Sequence, residues 1–156
     1  TVKYLADKGI WLSTQILDEA GPSFPPDVRA RKHQIVESQN KVWRWAIKHN
    51  VKLAWGTDLL FEPENMSQQN RELVAMKQFM TPARALKIAT HDNAQLFALS
   101  GKRNPYSKPL GVVQEGAYAD LLLVDGDPTQ NLEIIADPQK NFRIIMKDGK
   151  IYKNTL

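Results

Sequence analysis

Val51–Leu60, VKLAWGTDLL, is the stretch around which the rest of the chain can be read. Its apolar residues Val51, Leu53, Ala54 and Trp55 form a short run that stops at Gly56-Thr57-Asp58, and a helical pattern resumes a few residues later. A parallel strand delivers a side chain to the mouth of an α/β fold in this way, because loop backbone and helix N-termini converge beyond the carboxyl ends of the strands. Asp58 is therefore the carboxylate to follow. The same spacing also suits an ordinary turn or N-cap, for which Asp after Gly-Thr is common.

Upstream, Thr1 to Lys8 reads as the end of an amphipathic helix with Val2, Leu5 and Ala6 on one face and Gly9 as its stop. IWLST, residues 10–14, is then a strand rich in β-branched and aromatic residues. Pro22, Pro25 and Pro26 make residues 21–26 a loop, since they lack the backbone donors that helix and sheet interiors need. From Pro26 to Asn50, Val28, Ile35, Val36, Val42, Trp43, Ala46 and Ile47 recur at helical spacing. Trp43 and Trp45 cannot share a face, so one of them lies at the edge of the core. Helix then strand, twice over, is the punctuation of an α/β fold.

Downstream, PENMSQQN reads as a loop leading into a helix over Arg71 to Phe79. Thr81 and Pro82 form an N-cap with proline at the first helical position, and His91-Asp92-Asn93 breaks or bends the pattern before AQLFAL. The polar stretch 101–109 is the best boundary. Beyond it the period changes: Leu121 to Val124 is a continuous apolar run, and the strands 142–146 and 150–152 flank Asp148-Gly149, a two-residue hairpin signal. The layout is an α/β piece over residues 1–100 followed by a β-rich tail over 101–156.

The 156 residues suffice for one ordinary domain, and the absence of cysteine excludes disulfides and cysteine-ligated metals. No apolar run approaches the ~20 residues of a membrane span. The expectation is a soluble chain, cytoplasmic in preference, although a chain that opens on Thr1 rather than Met leaves an exported parent open. The net charge of +4 invites a nucleic-acid reading. The basic residues are dispersed, however, and the densest group, Arg29, Arg31, Lys32 and His33, is interleaved with Asp27 and Glu37 without an aromatic ladder. A solvated helix face is expected there, with neither nucleic acid nor membrane as partner.

Four stretches in order, LADKGIWLST, LAWGTD, TPARALKIATHDNAQLFAL and GVVQEGAYADLLLVDGDP with IIMKDGKIY, resemble the C-terminal portion of a metal-dependent hydrolase of the amidohydrolase superfamily, in its imidazolonepropionase-like and Xaa-Pro dipeptidase-like branch. The resemblance implies the last part of a (β/α)8 TIM barrel, with IWLST as strand seven and VKLAWGTD as strand eight, then the C-terminal strands of a small β-sandwich. Asp58 falls on the aspartate that in this family ends strand eight beside a divalent metal, zinc foremost, as metal ligand and proton acceptor from the attacking water. A carboxylate beside a cation suits both roles.

The family's His-x-His pair and its other metal ligands have no counterpart, because on this resemblance the chain starts after the sixth strand. His33, His49 and His91 lie on helical patterns and are poor substitutes. Since a catalytic zinc takes about three protein ligands, the isolated chain is expected to hold no tight metal and to be inactive. The implied substrate is a small amide, cyclic amide or peptide. The implied partner is the missing N-terminal portion or a second copy, giving a possible homo-oligomer, because two strands close no barrel and leave sheet edges bare. A non-enzymatic interaction module of the same fold is the competing expectation. Among minor candidates, Thr14 and Gln15 are either substrate-facing or an ordinary strand end, Thr57 orients Asp58 or satisfies backbone, Gly56 admits a close backbone approach, and Trp55 belongs to the core.

Overall fold

The computed structural model describes residues 1–59 and 63–156 and divides them into two compact units, Thr1–Gly56 and Thr57–Leu156. The first unit runs α1 (Val2–Asp7), β1 (Trp11–Thr14), α2 (Pro26–Lys48) and β2 (Lys52–Trp55). Each helix hands over to its strand through the same C-terminal motif. After α1, Gly9 takes a left-handed φ of +63°, its N–H bonds to Ala6 O and that of Ile10 to Leu5 O. After α2, Asn50 takes φ +53°, with the bonds Asn50 N–H to Ile47 O and Val51 N–H to Ala46 O. These paired bonds satisfy carbonyls that a helix end otherwise leaves open, and they reverse the chain within one residue. The next residue, Ile10 or Val51, leads directly into the strand.

β1 and β2 pair in parallel, from Trp11 opposite Lys52 to Thr14 opposite Trp55. α2 buries Val36, Trp43 and Ala46, which share one helical face, with Trp43 fully enclosed. Trp45, two residues on, is 52% exposed. Ile16, Val51, Leu53 and Ala54 are the other buried apolar residues described in this unit.

In the second unit, residues 63–68 form a 3₁₀ turn that leads into α3 (Gln69–Ala75). The helix expected over residues 71–79 thus begins two residues earlier, and beyond Ala75 it tightens into a 3₁₀ turn over Met76–Gln78. Thr81 caps α4 (Pro82–Lys87) by accepting from the Arg84 N–H at 3.4 Å. α4 passes through a π turn, Ile88–Asp92, into α5 (Asn93–Ala98). The three-stranded antiparallel sheet has the order β3 (Leu121–Val124), β4 (Phe142–Lys147), β5 (Lys150–Asn154). At the hairpin Asp148 and Gly149 take φ +47° and +76°, the successive left-handed pair that a two-residue turn of this hand requires.

Between β3 and β4 lie a 3₁₀ turn, Leu132–Ala136, and α6 (Pro138–Asn141), which periodicity did not reveal. Asn131 and Asp137 cap them through their side chains. Leu132 and Ile135 from that turn are buried, α3 packs against it, and Val74, Met76, Ala85, Ile88 and Phe142 are the other buried apolar residues of this unit. Among the described residues no helix is long and apolar enough to cross a membrane.

Candidate active site

Because β1 and β2 are parallel and in register, their carboxyl ends coincide at Thr14 and Trp55. Thr14 is a buried polar residue, 7% exposed, and a hydroxyl so placed must be hydrogen-bonded. α2 supplies the partner. Gln39 Nε2 donates to Thr14 Oγ1 at 2.9 Å and to the Gln15 carbonyl at 2.9 Å, and Trp43 Nε1 donates to the same carbonyl at 2.8 Å. Gln39 and Trp43 stand one helical turn apart, so they reach the strand end side by side. The Gln15 carbonyl, with two lone pairs, thereby has both engaged by protein.

An open depression of about 530 Å³ borders Thr14 and runs along α2 past Gln34, Ile35, Ser38, Gln39 and Val42. No ionisable group is among these residues. They can hold a polar group but cannot move a proton for it. The Thr14 hydroxyl and the Gln15 carbonyl are thus both engaged by α2. Helical periodicity leaves open which of Trp43 and Trp45 is enclosed and gives no role to Gln39. The one signal of this Gln39 and Trp43 clamp was a hydrogen-bonding side chain one turn before a buried Trp on the apolar stripe.

Asp58 follows β2 by three residues and belongs to the second unit. Its side chain is exposed, and its φ of +58° lies in the left-handed region. Asp enters that region more readily than most residues, at a cost of order 1 kcal/mol. The chain therefore turns sharply at Asp58, with the carboxylate at the surface. Among the described residues nothing approaches Gly56 closely, since an added Cβ there would meet nothing within 4 Å. Trp55 is half-buried.

The three histidines have other roles in the fold. His33 on α2 is exposed and pairs through Nδ1 with Glu19 Oε1 at 2.8 Å, and the Glu19 hydrogen bond, then its charge, raises the imidazole pKa above the ordinary value. His49 is the C-cap of α2. His91 lies in the π turn, with Nδ1 2.8 Å from Asp92 Oδ1. Burial alone would raise the Asp92 pKa, but hydrogen bonds from Lys87 and His91 outweigh it, and the carboxyl lies below the usual range. Among the described residues, no three His, Cys, Asp or Glu side chains cluster as a metal site. Asp58 alone does not fit a catalytic zinc, which takes about three protein ligands.

The sequence profile of the amidohydrolase family matches residues 1–153. Ochratoxinase of Aspergillus niger is 28% identical over 124 residues, which is 80% of this chain and 24% of that protein. The crystal structure of A. niger ochratoxinase matches with a TM-score of 0.69 at 27% identity, over 86% of this chain and 29% of that one. An amidohydrolase crystal structure matches with a TM-score of 0.79 at 24% identity, covering 99% of this chain and 37% of the other. A prolidase complexed with N-methylphosphonate-L-proline gives 0.77 at 22% identity with the same coverage. The last two likenesses speak for the fold. The chain spans about a quarter of the length of the curated relatives it matches.

Proposed function

Because the chain belongs to the amidohydrolase family, we propose that it forms the C-terminal part of a metal-dependent hydrolase that cleaves an amide or cyclic amide C–N bond of a small molecule or peptide with water. In this reading β1 and β2 are strands seven and eight of a (β/α)8 barrel, residues 1–100 are the barrel portion, and residues 101–156 are the C-terminal strands of a small β-sandwich. A barrel of eight strands needs six more, so the catalytic unit includes a further polypeptide segment or chain, and this chain alone is inactive.

Asp58 is the proposed catalytic group. It accepts a proton from the attacking water and is a candidate ligand of a divalent ion, zinc first, whose other ligands lie outside this chain. Such an ion, when bound, makes water acidic. The observation that carries the proposal is the register of β1 and β2, which ends both strands together, with an exposed carboxylate on a left-handed turn three residues beyond.

A non-enzymatic assembly module is favoured by a different observation. Leu121, Leu122 and Leu123 of β3 are 36%, 53% and 47% exposed, so an edge strand presents apolar side chains on both faces. One experiment separates the two. The chain is combined with a polypeptide supplying the remaining barrel strands, and amide hydrolysis is assayed with wild-type and Asp58→Asn. We expect hydrolysis that falls by about a hundredfold or more in Asp58→Asn, the scale of a lost general base. Association without hydrolysis, or hydrolysis indifferent to Asp58→Asn, refutes the assignment.

A further inference from the structure

A second pocket, of about 360 Å³, lies within the unit Thr57–Leu156 and plays no part in the proposed hydrolysis. One wall is a single helical face. His91, Ala94, Gln95 and Ala98 recur at helical spacing from the π turn through α5, and the two alanines leave the space that larger residues would fill. The opposite wall is the irregular segment carrying Asn104, Lys108 and Gln114.

That segment is held in place before any ligand arrives. Tyr106 packs edge-on between Phe97, at 6.5 Å, and Tyr118, at 6.0 Å between centroids. Lys108 Nζ stands 5.5 Å from the Tyr118 ring centre, and Tyr118 N–H bonds to Pro109 O at 3.0 Å. Near the pocket floor, Gly111 presses its backbone against the π turn, so closely that a Cβ there would lie 2.6 Å from Thr90 O. π turns of this kind occur often at functional sites.

The chemistry of the lining is one-sided. Its ionisable members are His91 and Lys108, and no carboxylate lines it. The nearest acid along the helix, Asp92, is already engaged by Lys87 and by His91 Nδ1, which leaves His91 Nε2 as the ring nitrogen available to a ligand. Asn104 spends its Oδ1 on the Tyr106 N–H and so offers its amide N–H groups. Gln95 and Gln114 add further amide donors. Among the described residues Lys108 makes no ion pair, its ammonium resting over the ring of Tyr118.

We propose that this pocket binds a small oxyanion, a carboxylate or a phosphate, held by Lys108 and His91 with the side-chain amides completing its hydrogen bonds. A pocket rich in donors and lacking acids selects such a ligand, since charge-assisted hydrogen bonds to oxyanions are the strong ones.

The full chain is titrated at constant ionic strength with inorganic phosphate and, separately, with acetate, following the His91 ring proton by NMR and the heat by calorimetry. We expect saturable one-to-one binding of at least one of the two, the tighter identifying the preferred class. Lys108→Gln and His91→Gln should each weaken it by about tenfold or more, the scale of one charged hydrogen bond. Lys102→Gln, which removes an exposed basic residue outside the lining, should leave it unchanged. Shifts that never saturate, equal weakening by Lys102→Gln, or binding indifferent to Lys108→Gln overturn the proposal. Lys108 is exposed and its replacement leaves the fold intact, so the test stands even if His91→Gln disturbs the π turn.

Discussion

Replacing Gly111 by alanine tests how the turn from α4 into α5 is braced. The added Cβ would lie 2.6 Å from Thr90 O, 2.7 Å from Thr90 C and 2.9 Å from His91 Cα. A carbon meets an oxygen comfortably only at about 3.3 Å or more. All three obstacles are backbone, so no rotamer change relieves the overlap, and either the 110–112 segment or the π turn must move by roughly 0.7 Å. The φ of +67° adds a second penalty. The left-handed conformation costs an L side chain about 1–2 kcal/mol, and overpacking against rigid surroundings about 1–3 kcal/mol, so Gly111→Ala should destabilise by about 2–5 kcal/mol.

Gly101→Ala is the control that separates the two penalties. Its φ is +55°, but nothing lies within 4 Å of the added Cβ, so only the backbone term applies. Each change also stiffens the unfolded chain by a similar amount, which cancels in the difference. Gly126→Ala, at φ +97°, falls between the two, since its nearest obstacle at 2.9 Å is the terminal Cδ1 of Ile134, which can swing aside. Urea unfolding followed by circular dichroism, with amide exchange of residues 88–98 and 142–154 to localise the loss, gives the order. Equal costs for Gly111→Ala and Gly101→Ala would refute the close packing argued for this turn.

Gln39→Leu keeps the bulk of the side chain but removes the donor to Thr14 Oγ1 and one of the donors to Gln15 O; the urea midpoint should fall by the equivalent of about 1–3 kcal/mol, with a shift in Trp43 fluorescence as its neighbour at that carbonyl is disturbed. The His33–Glu19 link makes stability depend on pH: because the folded imidazole has the raised pKa, the contribution is complete below the ordinary value of about 6.5 and is lost as pH rises through the folded one. Glu19→Gln should return the His33 NMR titration midpoint to the ordinary value and flatten that dependence. Leu122→Lys, at a half-exposed edge position, should leave the stability of the isolated chain within about 0.5 kcal/mol, yet abolish association with an N-terminal complement if β3 is where that complement docks; unimpaired association removes β3 from the docking surface.

What could be read without coordinates was what local pattern determines. Gly9, the Trp43 and Trp45 opposition, the Thr81 cap and the Asp148-Gly149 hairpin each follow from constraints within one or two turns of chain. The places where sequence and structure part are of another kind. The turn at Leu132–Ala136 exists because its buried Leu132 and Ile135 pack with α3, a contact some 60 residues distant, and no periodicity records such a partner. The Gln39 and Trp43 clamp likewise spans 24 to 28 residues. Asp58 was legible as a residue that follows a strand, whereas its left-handed backbone and its exposure required the coordinates.

These geometric facts constrain how the proposed hydrolase could use this chain. A reacting group must have donors and acceptors held in place before substrate arrives, since groups that reorient during reaction lose much of their electrostatic benefit. At the end of β1 the fold has already spent its polar groups: the Gln15 carbonyl has no lone pair left for a ligand, and the Thr14 hydroxyl is buried beneath Gln39. That hydroxyl and that carbonyl are held by α2, so neither is open to the reacting atoms. Beyond β2, Asp58 is an exposed residue on a backbone turn that costs energy to hold. Strain of this sort persists where something beyond local stability maintains it. Asp58→Gly would relieve the strain, and Asp58→Asn would retain the turn while removing the charge. Asp58→Asn is therefore the substitution that tests the charge of the side chain apart from the conformation of its backbone.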